Sequence, residues 1–279
     1  MRDHLLDWWR VRDEVPWSTA AEDVTGPVGG RRDGFLDHVR ASAARDPARA
    51  ARLEDALHRA GQAAATGRDL TVGLLAEWQA VVLGVPEVGF RTGPAYAKRG
   101  RERYGLAPTT EQRFARCLAE ATASGVPLPS RTARVYLDVA FVHPFPDGNA
   151  RAALLCASFV LRRDGVVLDL AAPLLTATRR ADDARGAREL VRLVEVLVAA
   201  TRRRDQHRQA APATPRGGPM PPTAAPLLAE FGSPVASSGG TGRELGAELP
   251  SSRGTGAAAG AGGEGVSRWG RGPSRRRSA

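Results

Sequence analysis

The feature that most limits the fold is a succession of segments whose apolar residues recur at helical spacing, bounded by helix start and stop residues. "DPARAARLEDALHRAGQAAATG" has Pro47 near its start and Gly67 as a stop. "TVGLLAEWQAVVLG" is predicted to open on Thr71 as a cap and to end at Gly84, with Leu75 and Trp78 on one side. "TTEQRFARCLAEATASG" opens on threonine and Glu111, and "PSRTARVYLDVAFVHPF" has Ser130 as its predicted cap. "GNARAALLCASFVLRRDG" and "ADDARGARELVRLVEVLVAATRRR" complete the set; the last has acids early and arginines late, matching a helix dipole. Between them, "VPEVGFRTGPAYAKRGRERYGLAP" lacks helical period, and "GFRTGPAYAKRG" reads as a short hairpin turning near Gly93–Pro94. The expected fold is all-α, a helical bundle with one short β-hairpin.

The flanks differ. Residues 1–33 hold a short amphipathic helix around Leu5–Val11, with Trp8, Trp9 and Trp17 available to cover a neighbouring domain, and then the breaker "GPVGGRRDG". After about Arg204, Pro, Gly, Ala and Ser dominate, and large apolar residues are too few to bury a core. Three parts are therefore expected: an N-terminal segment 1–33, a helical domain 34–203 and a disordered basic tail 204–279. Cys117 and Cys156 lie far apart within apolar helical patterns, which predicts core thiols rather than a disulfide or a zinc site. The N-terminus has no signal-peptide pattern and the chain no run of 18 apolar residues, so a soluble cytoplasmic protein without a membrane partner is expected. The net charge of +10 favours anionic partners. Heavy arginine usage inflates that figure, and no recognition helix or aromatic-basic platform accompanies it, which argues against nucleic acid as the partner.

The chemistry concentrates in "HPFPDGNARAAL", residues 143–154, where one helical run ends and another begins. His143 precedes a proline, so it is placed just past a helix end. Phe145 is the one large apolar residue of the loop and would anchor it. The N–H groups of Gly148, Asn149, Ala150 and Arg151 open the next helix without intrahelical partners, a ready anion site. The Asn149 amide and the Arg151 guanidinium can add donors to a phosphate. Asp147 has the wrong sign for phosphate and suits Mg²⁺ bridging carboxylate and phosphate oxygens. His143 can accept a proton from an incoming hydroxyl. Singly, these residues read as a helix-end histidine, a capping turn and a solvated arginine; jointly they predict attack of a hydroxyl on a metal-bound nucleotide phosphate.

The stretch resembles the Fic/Doc family signature, roughly H-x-F-x-[D/E]-G-N-x-R-x-x-R, with His143, Phe145, Asp147, Gly148, Asn149 and Arg151 matching as they stand. The resemblance covers about residues 70–170 well and 35–203 loosely. It implies a Fic-like helical bundle and a transferase that moves AMP from ATP to a Ser, Thr or Tyr hydroxyl of a target protein. By position, His143 would be the general base, Asp147 the Mg²⁺ ligand, and Gly148–Asn149–Ala150 the anion hole. Asn149 and Arg151 would bind phosphates, and Phe145 would be the anchor. The resemblance also implies a flap, with Phe90, Arg91, Thr92, Tyr96 and Lys98 pairing with an extended target segment. Two positions depart from the pattern. Leu154 stands where the signature has its second arginine, as in Doc-type kinase toxins, which pass on the γ-phosphate. "STAAED", with Glu22, only partly matches the family's inhibitory motif. A Doc-like kinase and a non-catalytic Fic domain that binds nucleotide or protein are the alternatives.

Overall fold

The structure, a computed structural model, describes residues 1–19 and 24–210. The tail from 211 on and the Glu22 position lie outside the described residues. The described chain is mostly helical: α1 (His4–Glu14), α2 (Gly34–Ala41), α3 (Pro47–Ala65), α4 (Val72–Leu83), α5 (Thr110–Thr122), α6 (Leu128–Val142), α7 (Asn149–Arg163), α8 (Ala172–Thr176) and α9 (Ala184–Ala210). Two small sheets accompany them. β1 (Val28–Gly29) pairs in parallel with β4 (Val166–Val167), and β2 (Ala95–Ala97) pairs antiparallel with β3 (Glu102–Tyr104).

Local chemistry sets the helix limits. The Thr71 hydroxyl accepts from the Leu74 N–H at the start of α4, and Gly84 ends that helix in the left-handed region. Asp46 caps α3 ahead of Pro47, where a missing N–H costs nothing. α6 begins at Leu128, so Ser130 lies inside its first turn, buried, and does not cap it. Pro127 and Pro129 set the start instead, since proline fits the first helical turn. α9 continues to Ala210, so residues 204–210, assigned to the tail by composition, are helical. There Arg204 pairs with Asp169 from outside the helix, and Arg208 and Gln209 both reach Asp205.

α6 and α7 form the centre. Every residue of α6 except Ala140 is buried, and that includes Arg131, Arg134 and Asp138. Polar groups in such a place need partners. Arg131 donates to the Val126 and Ala121 carbonyls and pairs with Asp164. Arg134 donates to the Glu120 carbonyl. One Asp138 oxygen accepts from Trp8 Nε1 at 3.0 Å and Arg12 Nε at 2.7 Å. The N-terminal segment is thus built into the core: Trp8 is fully buried against Phe141 and near Trp17. Cys117 and Cys156 are buried free thiols.

The hairpin differs from expectation in its turn. The reversal runs through Lys98–Arg101, not Gly93–Pro94. Lys98, Arg99 and Gly100 all adopt positive φ, and Lys98 closes the turn by pairing with Glu102 at 2.7 Å.

Candidate active site

α6 ends at Val142, and His143 stands just past it in the left-handed region (φ 50°, ψ 60°), its N–H donating to the Val139 carbonyl. An X–Pro position ordinarily lies in the extended region, so this backbone is held by its surroundings. The Arg91 N–H donates to the Pro144 carbonyl at 2.8 Å. The Arg91 guanidinium donates to the carbonyls of Val142, Gly93 and Gly105. One buried arginine therefore ties the helix end, the loop and both flanks of the hairpin together. Arg91 was expected to meet a target; its burial gives it an internal role instead. Phe90 packs its ring near Phe114, while Thr92, Tyr96 and Lys98 are exposed.

Phe145 is fully buried, and its main chain is closed by Asn149. The Phe145 N–H donates to Asn149 Oδ1 at 2.9 Å, and Asn149 Nδ2 donates to the Phe145 carbonyl at 2.8 Å. The Asn149 amide, expected at a phosphate, thus holds the loop itself. Oδ1 and one of the two Nδ2 hydrogens are engaged in stapling the loop, which leaves one N–H of the amide. The signal that could have shown this is the i, i+4 spacing of Asn149 and Phe145 across a loop. Gln79 on α4, which sequence reasoning passed over as one more helix residue, donates from Nε2 to the Asp147 carbonyl at 2.6 Å.

Gly148 precedes α7 with φ 76°. A Cβ there would collide with Gln79 Nε2 and lie 2.9 Å from Arg151 Nη2. Gly148→Ala is expected to cost about 1–3 kcal/mol, from left-handed strain and the clash. Urea unfolding of a double-mutant cycle checks this: on a Gln79→Ala background the cost should fall, because one obstruction is gone. Additive losses would place the cost in the backbone and in Arg151.

Among the described residues, the N–H groups of Gly148, Asn149 and Ala150 make no hydrogen bond; the N–H of Arg151 bends back to the Gly148 carbonyl at 2.9 Å. Arg151 donates from Nη1 to the Val82 carbonyl and pairs through Nη2 with Asp147, both at 3.3 Å. Burial first, and then the neighbouring Arg49, push its pKa down, while Asp147 pulls the other way. Asp147 points its carboxylate into solvent. The described residues hold no cluster of three or more ligating side chains for a metal. One solvent-exposed carboxylate, with Arg151 on a single oxygen, suits an ion such as Mg²⁺ that keeps waters and completes its shell from phosphate. Beside the start of α7 lies a cavity of about 450 Å³, lined by Ala150, Arg151 and Leu154 together with Arg45, Asp46 and Arg49.

His143 itself is stacked on Tyr104 of β3, ring centroids 4.2 Å apart at 27°. Burial, and then the Arg91 charge, lower its pKa to about 4, while the Phe141 backbone and Glu102 pull the other way. Its Nδ1 is buried and forms no regular hydrogen bond among the described residues. The imidazole is thus neutral at pH 7 and able to accept a proton.

Residues 69–161 match the Fic/DOC family. The matched segment runs from just before α4 to near the end of α7 and contains the whole loop and hairpin. No curated protein matches the chain. Among solved structures, the chain is similar to a Fic-domain signalling protein from Bacteroides thetaiotaomicron (TM-score 0.44, 16% identity, 70% of this chain and 87% of that one). It is also similar to IbpAFic2 covalently tethered to Cdc42 (0.45, 15%, 69% and 70%) and to Fic-1 from C. elegans (0.45, 14%, 74% and 72%). No helix among the described residues is long and apolar enough to cross a membrane.

Proposed function

We propose that this site transfers a nucleotidyl group, AMP from ATP, to a hydroxyl of a target protein. The observation that carries the reading is one loop with two chemically matched ends. At one end stands an imidazole kept neutral by burial and Arg91. At the other, three unbonded N–H groups open a 15-residue helix. The first is a base for the hydroxyl, and the second is a positive dipole end for the phosphate under attack. Mg²⁺ held by Asp147 and the phosphates would neutralise charge on the leaving diphosphate. His143 takes the hydroxyl proton as the oxygen attacks the α-phosphorus, and the P–O bond to the diphosphate breaks. Phe145, Asn149 and Gln79 hold the loop between them in place.

Mass spectrometry of a lysate incubated with the protein, ATP and Mg²⁺ tests the reading: the expected adduct is AMP on a Ser, Thr or Tyr. Parallel labelling separates the alternatives. α-³²P label on the target supports nucleotidyl transfer. γ-³²P label alone would make the protein a Doc-like kinase, a reading that Leu154 favours. Nucleotide binding without any adduct would make it a binding module.

Leu154 leaves the outer phosphates without the signature's second arginine. Arg45 and Arg49 line the same cavity from the α2–α3 side, and neither forms an ion pair among the described residues. Together with Arg151 they supply the positive charge there. Arg49→Ala is expected to weaken ATP about fivefold, roughly 1 kcal/mol for an exposed charge, and to leave AMP affinity unchanged. Calorimetric titration with both nucleotides checks this.

A further inference from the structure

We propose that Tyr104 is the positioning residue for the His143 ring, and that Asp3, in the N-terminal segment, holds Tyr104 in register for that task. The inference rests on the reading of His143 as the base, and it names residues to which neither the signature nor the sequence pattern points. Tyr104 lies 2% exposed at the end of β3, with its ring stacked on the imidazole. Its hydroxyl donates to Glu102 Oε2 at 2.8 Å, and Glu102 is in turn paired with Lys98. The other ring neighbour of Tyr104 is His4 of α1, centroids 5.8 Å apart.

The backbone around Tyr104 is gripped from two sides. Asp3 Oδ1 accepts the Gly105 N–H at 2.9 Å, and Asp3 Oδ2 pairs with Arg103 at 3.0 Å. A Cβ at residue 105 would occupy the space of the Asp3 carboxylate. On the opposite side, Arg91 donates to the Gly105 carbonyl and to the Val142 carbonyl, one residue before His143. Asp3, Gly105, Arg91 and Val142 thus form a continuous chain of hydrogen bonds that brings the two stacked rings together. Asp3 also caps α1 through the Leu5 N–H, so the start of α1 and the strand carrying Tyr104 share one carboxylate. A histidine in the left-handed region lacks the usual rotamer restraint of a helix, and a stacked ring supplies it.

Histidine-labelled full-length protein, with its five histidines assigned by substitution, gives the test by NMR. The groups facing the imidazole are Arg91, Glu102 and Tyr104; Tyr104→Phe keeps the stacked ring and removes only the hydroxyl donor to Glu102. In Tyr104→Phe the ring-current shift of His143 should stay as in the wild type. In Tyr104→Leu, which keeps apolar bulk for folding, the resonance should lose its ring-current shift. Its inflection should then rise from about 4 toward the ordinary value near 6.5. Asp3→Asn should move the resonance part of the way. In the labelling assay Tyr104→Leu should lower kcat about 10–100-fold with KM for ATP unchanged, and should add nothing on a His143→Asn background. Unchanged His143 resonances in Tyr104→Leu would overturn the proposal, as would an undiminished kcat. Altered resonances in a protein whose wild type transfers nothing would support the positioning role and overturn the transfer reading instead.

Discussion

Replacing His143 by asparagine is expected to lower transfer by about 10²–10⁴-fold, the range a general base contributes, with a fold as stable at pH 7 as the wild type. Asparagine is chosen because residue 143 sits at φ 50°, a region asparagine tolerates and alanine does not. The wild-type rate should hold on the acid side down to about pH 4, where the imidazole takes its proton. An ordinary histidine would begin to lose activity two pH units earlier. A rate profile with its acid limb near 6.5 would remove the role given to burial and Arg91.

The same residue makes a stability prediction whose sign is set by the lowered pKa. In the unfolded chain His143 titrates near 6.5, and in the folded protein near 4. Between those values the unfolded state binds the extra proton, so the wild type loses stability as pH falls through that window. The full effect is about 3 kcal/mol below pH 4, and none of it remains above pH 6.5. Urea midpoints of wild type and His143→Asn should therefore agree at pH 7.5 and diverge at pH 4.5, with the variant the more stable. Parallel pH dependence in the two proteins would mean that the imidazole charges freely.

Features decided by neighbours along the chain are legible in the sequence itself. Thr71 and Gly84 bound α4 because a threonine hydroxyl reaches its own helix start and glycine accepts the left-handed turn. The junction 143–154 combines a helix end, a buried phenylalanine and a helix start for similarly local reasons. What escapes such a reading depends on partners remote in sequence or on competing local chemistry. Proline at 127 and 129 outweighs Ser130 as the start of α6. Gly93–Pro94 resembles a turn, yet Lys98, Arg99 and Gly100 take the positive φ values. Asn149 looks like a phosphate donor because its pairing with Phe145 closes only when the loop folds back. Arg91 reads as exposed because a buried arginine served by carbonyls leaves no mark in a sequence. Strands of two residues, such as β1 and β4, are too short for any alternation to show.

Arg12→Ala is expected to cost about 3–5 kcal/mol, the range for stranding one member of a buried ion pair. Asp138 is fully buried at the centre of α6, and its second oxygen has no partner among the described residues. Burial alone drives its pKa up, and Arg12 is the largest force holding the charged form. Arg12 reaches it from α1, 126 positions away in sequence, and also pairs with Glu120 of α5. Without Arg12 the carboxylate keeps only Trp8 Nε1 as a direct donor, and the folded protein must take up a proton there. A carboxyl whose folded pKa is raised makes the folded state bind the extra proton, so the deficit is greatest at high pH and shrinks as pH falls toward the unfolded value near 4. Asp138→Asn on the Arg12→Ala background removes the charge and keeps an oxygen for Trp8, so it should recover part of the loss. Urea unfolding of the four proteins at pH 5.5 and pH 8 distinguishes the outcomes. If Arg12→Ala costs the same at both pH values and Asp138→Asn recovers nothing, α1 is held to the core by Trp8 and its apolar neighbours. The ion pair would then be incidental to the packing of α1, and α1 could keep Asp3 beside Gly105 without it.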